Sequence, residues 1–247
     1  MRCLVISDIH ANLAALEAVL QDAARRRANY DVVWCLGDVV GYGPDPNECI
    51  ELLRTLPHVC LAGNHDWAVL GKLAIEAFHK SAAFVVQWTR ETLTWPSLNY
   101  LRVRPERELQ GDFLLVHASP REPIWEYVLD VGVAEENFNF VTTLCALVGH
   151  THVPLMFLKD QRTRTVSAVS PSPNTPLLLR HSFTYIMNPG SVGQPRDGDP
   201  RAAYAVLDTE ALTWTQYRVA YPVTYTQERM RQRSFPERLI ERLAVGR

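Results

Sequence analysis

Leu4-Val5-Ile6-Ser7-Asp8-Ile9-His10 sets a short apolar run directly against two side chains able to ligate a metal. The run is too short for a membrane span or a helix, so Leu4-Val5-Ile6-Ser7 reads as a buried strand, and Asp8 and His10 arrive where it ends. The arrangement recurs down the chain. Residues 31–36 form a strand ending at Gly37-Asp38, and residues 59–62 one ending at Gly63-Asn64-His65-Asp66. Phe113-Leu114-Leu115-Val116 delivers His117, and residues 144–148 run into Gly149-His150-Thr151-His152. Helices fill the gaps between the first three strands. Residues 11–28 carry Leu13, Leu16, Ala18 and Leu20 at helical spacing, with Asn12 as a cap and Arg25-Arg26-Arg27 as a basic tail suited to a helix C-terminus. Asp45-Pro46 opens a second helix that runs through Leu53. Strand, helix, strand, helix, strand predicts a layered α/β fold with buried parallel strands.

Beyond this region the periodicity changes. Leu70, Leu73, Ala77, Phe84, Val85 and Trp88 predict one or two helices between residues 67 and 95, lying across the end of the sheet. Residues 123–140 are rich in aromatics and suit short helices. Residues 155–158, 163–169, 177–187, 202–207 and 212–217 are strand-like, with hairpin turns expected at Lys159-Asp160-Gln161 and Asp208-Thr209-Glu210. Met230, Phe235, Leu239 and Leu243 mark a helical end. No repeat or flexible linker divides the chain, so residues 1–247 are expected to form a single domain.

Composition sets the outer limits. The chain has 247 residues, 47% of them hydrophobic, enough for a sizeable core. A formal net charge of -2 gives no general attraction to nucleic acid. The apolar start is too short for a secretory or membrane segment, which makes a cytoplasmic location and no membrane partner the default expectation. Five scattered cysteines without a CxxC pair argue against a disulfide framework and for buried thiols.

The polar residues at the strand ends carry the chemistry. Five of the eight histidines belong to this set. Strand ends in open α/β sheets commonly converge on a crevice. Carboxylates gathered there repel each other unless metals neutralise them, and mixed nitrogen and oxygen ligands suit manganese, iron, zinc, cobalt or nickel better than calcium. Each block alone has a plainer reading. Asp8-Ile9-His10 is also a turn with a helix start, Gly37-Asp38 also a strand-ending turn, Gly63-Asn64-His65-Asp66 also an Asx-capped turn, and His117 also a satisfied core histidine. Alternation in Gly149-His150-Thr151-His152 sets both imidazoles on one side of an extended segment. The five blocks together point to a metal centre.

In their order, these five blocks resemble the calcineurin-like metallophosphoesterase superfamily. Gly41-Tyr42-Gly43-Pro44, Ser119-Pro120-Arg121 and Asn188-Pro189-Gly190-Ser191-Val192-Gly193 narrow the resemblance to a compact, prokaryotic, phosphodiesterase-like branch. The resemblance implies a four-layer fold, a central β-sandwich flanked by helices, with the site at the strand ends. It implies two divalent transition-metal ions, manganese first among them. Asp8, His10 and His152 match the ligands of one ion, Asn64, His117 and His150 those of the other, and Asp38 the bridging carboxylate. His65 matches the family's non-ligand histidine beside the scissile bond, with Asp66 orienting it. The implied activity is hydrolysis of a phosphate ester, expected to be a small phosphodiester or nucleotide. A serine/threonine protein phosphatase, a phosphomonoesterase or a non-catalytic interaction scaffold are the alternatives.

Further residues are candidates for substrate contact. Arg121 follows His117 in a proline-constrained loop, and its planar fork suits a phosphate; pairing with Glu122 or another acid is the competing role. Tyr42 and Trp125 suit a base or aryl group, or simple packing. Asn12 suits either a phosphate or its helix cap. His58, His79 and His181 lie outside the blocks and are expected to be structural or at the surface. The Gly190-Ser191-Val192-Gly193 turn lacks the nucleotide-cradling GxxxxGK[ST] pattern.

Overall fold

A computed structural model of the chain describes residues 1–26 and 30–247. The opening run is β1 (Arg2–Ile6), followed by α1 (Leu13–Arg25), β2 (Val32–Cys35), α2 (Pro46–Arg54) and β3 (His58–Cys60). Next come α3 (Asn64–Val69), α4 (Lys80–Thr92), α5 (Trp95–Arg102), β4 (Arg107–Gln110), β5 (Phe113–Val116), α6 (Val131–Asn137) and β6 (Cys145–Leu147). The remainder holds β7 (Leu155–Asp160), β8 (Val166–Val169), β9 (Pro176–Leu178), β10 (Phe183–Asn188), β11 (Ala202–Asp208), β12 (Thr213–Val219), α7 (Val223–Gln232) and α8 (Glu237–Glu241). Residues 27 and 28 of the expected first helix lie outside the described residues.

Two six-stranded sheets result, in the orders β3-β2-β1-β11-β12-β9 and β4-β5-β6-β10-β7-β8. Strand alternation makes each sheet face two ways. Along β1, Cys3 and Val5 enter the core between the sheets with Trp34, Leu115, Leu147 and Tyr185. Leu4 and Ile6 enter a second core against α1 and α2, with Leu16, Val19, Ile50 and Leu53. A third core joins the outer face of the second sheet to α6 through Val116, Ala146, Ile186, Ala134 and Phe138. Helices, sheet, sheet, helix is the four-layer α/β arrangement expected from sequence. A fully buried Leu or Ile contributes about 1.5–3 kcal/mol, so β1, buried on both faces, anchors the stack.

Each sheet contains three parallel neighbours: β1, β2 and β3 in one, β5, β6 and β10 in the other. This arrangement positions the site, because the carboxyl ends of all six strands lead into site loops. Elsewhere the strands are antiparallel.

Several expectations change in detail. The segment 177–187 is not one strand. It divides into β9 in the first sheet and β10 in the second, with buried Leu179 in the inter-sheet core between them. The edge strand β4 is polar and half-exposed, so its sequence shows no apolar run; it pairs with β5 across Gly111, whose φ of 60° suits the turn. Helix α3 starts at Asn64, earlier than the apolar spacing indicates, because the Asp66 carboxylate accepts the Gly63 N–H at 3.0 Å and starts the helix within the Gly63-Asn64-His65-Asp66 block. The two expected hairpin turns form around Asp160 and Asp208, whose carboxylates each accept two following backbone N–H groups. All five cysteines are free and buried. No described helix is long and apolar enough to cross a membrane.

Candidate metal centre

The strand ends deliver their polar residues through strained backbone. Among the described residues, eleven non-glycine residues have positive φ, and seven of them are Asp8, His10, Ala11, Asp38, Tyr42, His150 and His152. Such conformations cost about 1–3 kcal/mol each and persist where the surroundings over-determine them, commonly at functional sites. Two close approaches explain glycines in these loops. A Cβ on Gly63 would overlap Asp38 Oδ1, and one on Gly149 would overlap Ser7 Oγ.

Asp8, His10 and His152 form one group whose ligating atoms lie within 4.8 Å of one another; Asp38, His117 and His150 form another; His10, Asp38 and His65 form a third. Every one of these side chains is buried. The imidazoles are held from behind. His10 Nδ1 faces Val40 O at 3.1 Å, His117 Nδ1 faces Leu36 O at 2.9 Å, and His152 Nδ1 faces Gln194 O at 2.5 Å. A carbonyl only accepts, so these Nδ1 atoms carry the proton and, in the neutral ring, each Nε2 presents a lone pair to the cluster. His150 is reversed: its Nε2 donates to Trp125 O at 3.1 Å, leaving Nδ1 as the free acceptor.

This leaves acceptors facing acceptors. His10 Nε2 and His152 Nε2 stand 3.0 Å apart, and His117 Nε2 stands 3.1 Å from Asn64 Oδ1. Asp38 Oδ1 accepts the His65 N–H at 2.9 Å, whereas Asp38 Oδ2 is buried without a hydrogen-bond partner. That oxygen lies 3.6 Å from His10 Nε2 and 3.5 Å from His117 Nε2, between the two main groups. An orphaned buried carboxylate oxygen ringed by imidazole lone pairs fits a divalent cation and fits little else.

Protonation follows the burial. Burial lifts Asp8 to about 7; the His117 ring pulls the other way and the Asp38 carboxylate adds to the rise. Asp38 is pushed well above the usual carboxylate range, first by burial and then by Asp66. Burial drives His10, His65, His150 and His152 well below the ordinary imidazole value, with Arg196 adding to each. These four histidines are therefore neutral and have a ring nitrogen free to ligate near neutral pH.

A cleft of about 160 Å³ opens over the centre, lined by Asp38, Asn64, His65, His150, His152 and Arg196 among polar residues. Its apolar walls include Tyr42, Phe78, Trp125 and Tyr127. Phe78 meets Trp125 edge to face, with ring centroids 5.0 Å apart, so the segments 67–95 and 123–140 meet at the cleft. Tyr127 lies against the His150 ring at 4.0 Å.

Three candidate residues take positions that separate the readings open to them in sequence. Arg121 does not reach the cleft. Its guanidinium is held by Glu126 and Glu136, the competing role, and the arginine in the cleft is Arg196. Asp66 does not orient His65. Its carboxylate accepts backbone N–H groups from Val39, Val40 and Gly63, tying two site loops together, while His65 Nδ1 has no partner. Asn12 serves as the cap of α1: its Oδ1 accepts from Ala15 N–H and Thr226 Oγ1, and its Nδ2 donates to Gly193 O.

Arg196, Tyr127 and Phe78 were not singled out by sequence reasoning. The available signal for Arg196 was an arginine three residues past the Asn188–Gly193 block, itself the loop after a strand. His79, set aside with the structural histidines, lines the cleft rim, whereas His58 hydrogen-bonds Tyr100 and Leu56 O, and His181 is exposed.

Comparison with known proteins agrees with this geometry. The calcineurin-like phosphoesterase family model matches residues 1–154. A metallophosphoesterase from Sphaerobacter thermophilus has a solved structure 47% identical in sequence, with a TM-score of 0.90, covering 100% of this chain and 99% of that one. An uncharacterized protein of Methanocaldococcus jannaschii is 38% identical over 248 residues, covering 98% of this chain and 97% of its own length. Phosphodiesterase YfcE of Escherichia coli is 26% identical over 213 residues, covering 86% of this chain and 90% of its own. With a matching family model, full-length relatives and a strand-end cluster suited to metal, the chain belongs to the calcineurin-like phosphoesterase family.

Proposed function

We propose that this chain hydrolyses a small phosphate ester, a phosphodiester or nucleotide, at a pair of divalent transition-metal ions. Asp8, His10 and His152 would hold one ion, Asn64, His117 and His150 the other, and Asp38 both. The observation that carries this reading is Asp38 Oδ2, buried and unpartnered between His10 Nε2 and His117 Nε2. Such a pair of ions, when bound, supplies Lewis acidity toward the phosphate and acidifies water as a nucleophile.

The chain's own residues supply the remainder. Arg196 brings a fixed positive charge to the cleft, where a guanidinium can fork onto two phosphate oxygens as negative charge builds on them. His65 stands in the same cleft with Nδ1 free. An anionic phosphate in the cleft would favour the imidazolium form of His65, which in the empty cleft is neutral; once protonated, His65 would give that proton to the departing oxygen as water oxygen bonds to phosphorus and the ester P–O bond breaks. Tyr42, Phe78, Trp125 and Tyr127 exclude water and offer flat apolar surface to a base or aryl group. The confined, aromatic-walled cleft favours a small substrate over a folded phosphoprotein.

The test is to load purified protein with manganese, then with iron, zinc, nickel or cobalt, count metal per chain, and compare bis(4-nitrophenyl) phosphate, 4-nitrophenyl phosphate and a phosphopeptide. Two ions per chain and faster hydrolysis of the small esters are expected. A protein that takes up none of these metals, or that cleaves the phosphopeptide much faster, would show the reading to be wrong.

A further inference from the structure

A second cavity of about 210 Å³ adjoins the metal cleft and shares Tyr42, His79, Ala82 and Arg196 with it. Its remaining lining is Ser81, Arg238, Leu239 and Arg242. Three guanidinium groups thus face one small space. Neighbouring arginines in the same part of the chain are neutralised: Arg229 pairs with Asp45, Arg231 with Glu237, and Arg218 with Asp197. Among the described residues, no ion pair joins Arg196, Arg238 or Arg242 to a carboxylate side chain. Arg196 Nε is buried with no hydrogen-bond partner, although its Nη2 donates to Gln194 Oε1 at 2.9 Å. Arg242 Nε donates to the main-chain oxygen of Arg247, and its other nitrogens make no hydrogen bond within the described residues.

The placement is built by packing. Leu239, Ile240 and Leu243 anchor α8 and the turn after it against Val85 of α4, together with Met230 and Phe235. Anchoring these apolar residues turns Arg238 and Arg242, four positions apart, toward the cavity that Arg196 enters from the opposite loop. Like charges at this spacing disfavour a helix, and among the described residues no carboxylate side chain pairs with either. Burial, with Arg196 and Arg238 adding to it, lowers Arg242 to about 10. Among the described residues, no acidic side chain lines the cavity.

We propose that this cavity is a subsite for a second phosphate group, so that the preferred substrate is a polyphosphate-bearing ester such as a nucleoside or dinucleoside polyphosphate. Arg196 serves both cavities, toward the scissile phosphate on one side and the further phosphate on the other. Arg238 and Arg242 act on the further phosphate alone. The proposal rests on reading the adjoining cleft as a phosphoesterase site.

Two measurements test it. In the first, manganese-loaded wild type and the double variant Arg238→Ala/Arg242→Ala hydrolyse diadenosine tetraphosphate and bis(4-nitrophenyl) phosphate. We expect kcat/KM for the tetraphosphate to fall about tenfold or more, mainly through KM, while the simple diester stays within about twofold. Equal loss on both substrates, or no loss on either, would overturn the subsite. In the second, calorimetry follows inorganic tripolyphosphate binding to metal-free protein, which avoids chelation. Binding is expected to weaken about tenfold or more in the double variant and to remain in Arg231→Ala, whose guanidinium is already paired with Glu237. Equal tripolyphosphate affinity in wild type and double variant would overturn the proposal. Arg238→Gln alone changes an exposed side chain, and it should show the same direction of change with an unaltered melting temperature. If no ester is hydrolysed under any metal while tripolyphosphate binding depends on Arg238 and Arg242, the hydrolytic reading falls and the anion subsite stands.

Discussion

Asp38 and Arg196 show how single side chains decide the chemistry. Asp38 Oδ2 has no proton donor and two imidazole nitrogens beside it, a placement suited to meeting positive charge. Asp38→Asn keeps an oxygen able to accept from His65 N–H and removes the buried charge. We therefore expect the metal-free variant to melt no lower than metal-free wild type, while metal content and turnover fall sharply; elemental analysis and calorimetry read both. Arg196→Ala should lower kcat/KM by about 10- to 100-fold, the usual worth of a hydrogen bond to a charged group, without lowering metal content. Arg121→Ala should instead lower the melting temperature and change both mono- and diester kinetics alike, because Arg121 is spent on Glu126 and Glu136. Blocks of ligand-type residues at strand ends were plain in the sequence. Which of two arginines in two proline-flanked loops enters the cleft was not, because Glu126 and Glu136 compete for one of them only after the chain has folded.

At the scale of an element, the loop from Ser119 to Asn137 acts as a clamp. Glu126 gathers Arg121, Ser119 Oγ at 2.7 Å and Asn137 Nδ2 at 2.8 Å, and so fixes the segment that carries Trp125 and Tyr127 to the cleft. Burial alone would raise the Glu126 carboxyl; the donors from Arg121, Asn137 and Ser119 outweigh it and hold it at about 2. A depressed folded value contributes stability that is complete above the unfolded value, here 4.5, and is lost as pH falls toward about 2. The stability difference between wild type and Glu126→Gln should therefore shrink over that window, as read by urea denaturation. A variant difference that stays constant from about pH 5 to about pH 3 would remove Glu126 from this role. The β6 loop makes a steric prediction. Gly149→Ala sets a methyl group into Ser7 Oγ and 2.9 Å from Asp8 Oδ2. We expect about 1–3 kcal/mol of destabilisation and weakened metal binding, with circular dichroism and metal titration as the checks.

The whole molecule brings the two sets of parallel strands to one rim. Stacking the sheets gathers Asp8, Asp38 and five imidazoles into a buried volume, where like charges and desolvation oppose the ionised carboxylates. Metal loading should consequently raise the melting temperature. It should also release a proton from Asp8 below about pH 7, where the metal-free carboxyl is protonated. Apparent metal affinity is thus expected to rise as pH increases through about 7, because Asp8 and the likewise raised Asp38 must both be ionised to bind. Chelator competition at several pH values measures this directly, and an affinity independent of pH between about 5.5 and 7 would show that Asp8 is already ionised in the metal-free fold.

Strand, helix and ligand types were set by local sequence. Apolar runs of four or five residues can be buried as strands, the spacing around Leu13 to Leu20 makes a helix, and the five ligand blocks follow strands wherever the chain turns. Partnership was set by tertiary structure. Residues 177–187 read as one strand because both halves are apolar, yet they serve two sheets, and only sheet packing decides where the crossing falls. Asp66 stands beside His65 in sequence, but its carboxylate meets the backbone of residues 39 and 40 because the two loops are pressed together. Arg238 and Arg242 read as surface charges of a terminal helix until apolar packing against Val85 turns them toward Arg196. Periodicity and turn chemistry act over a few residues and are legible in order along the chain. Ion pairing and convergence depend on distances between segments far apart in sequence, which exist only once the cores have closed.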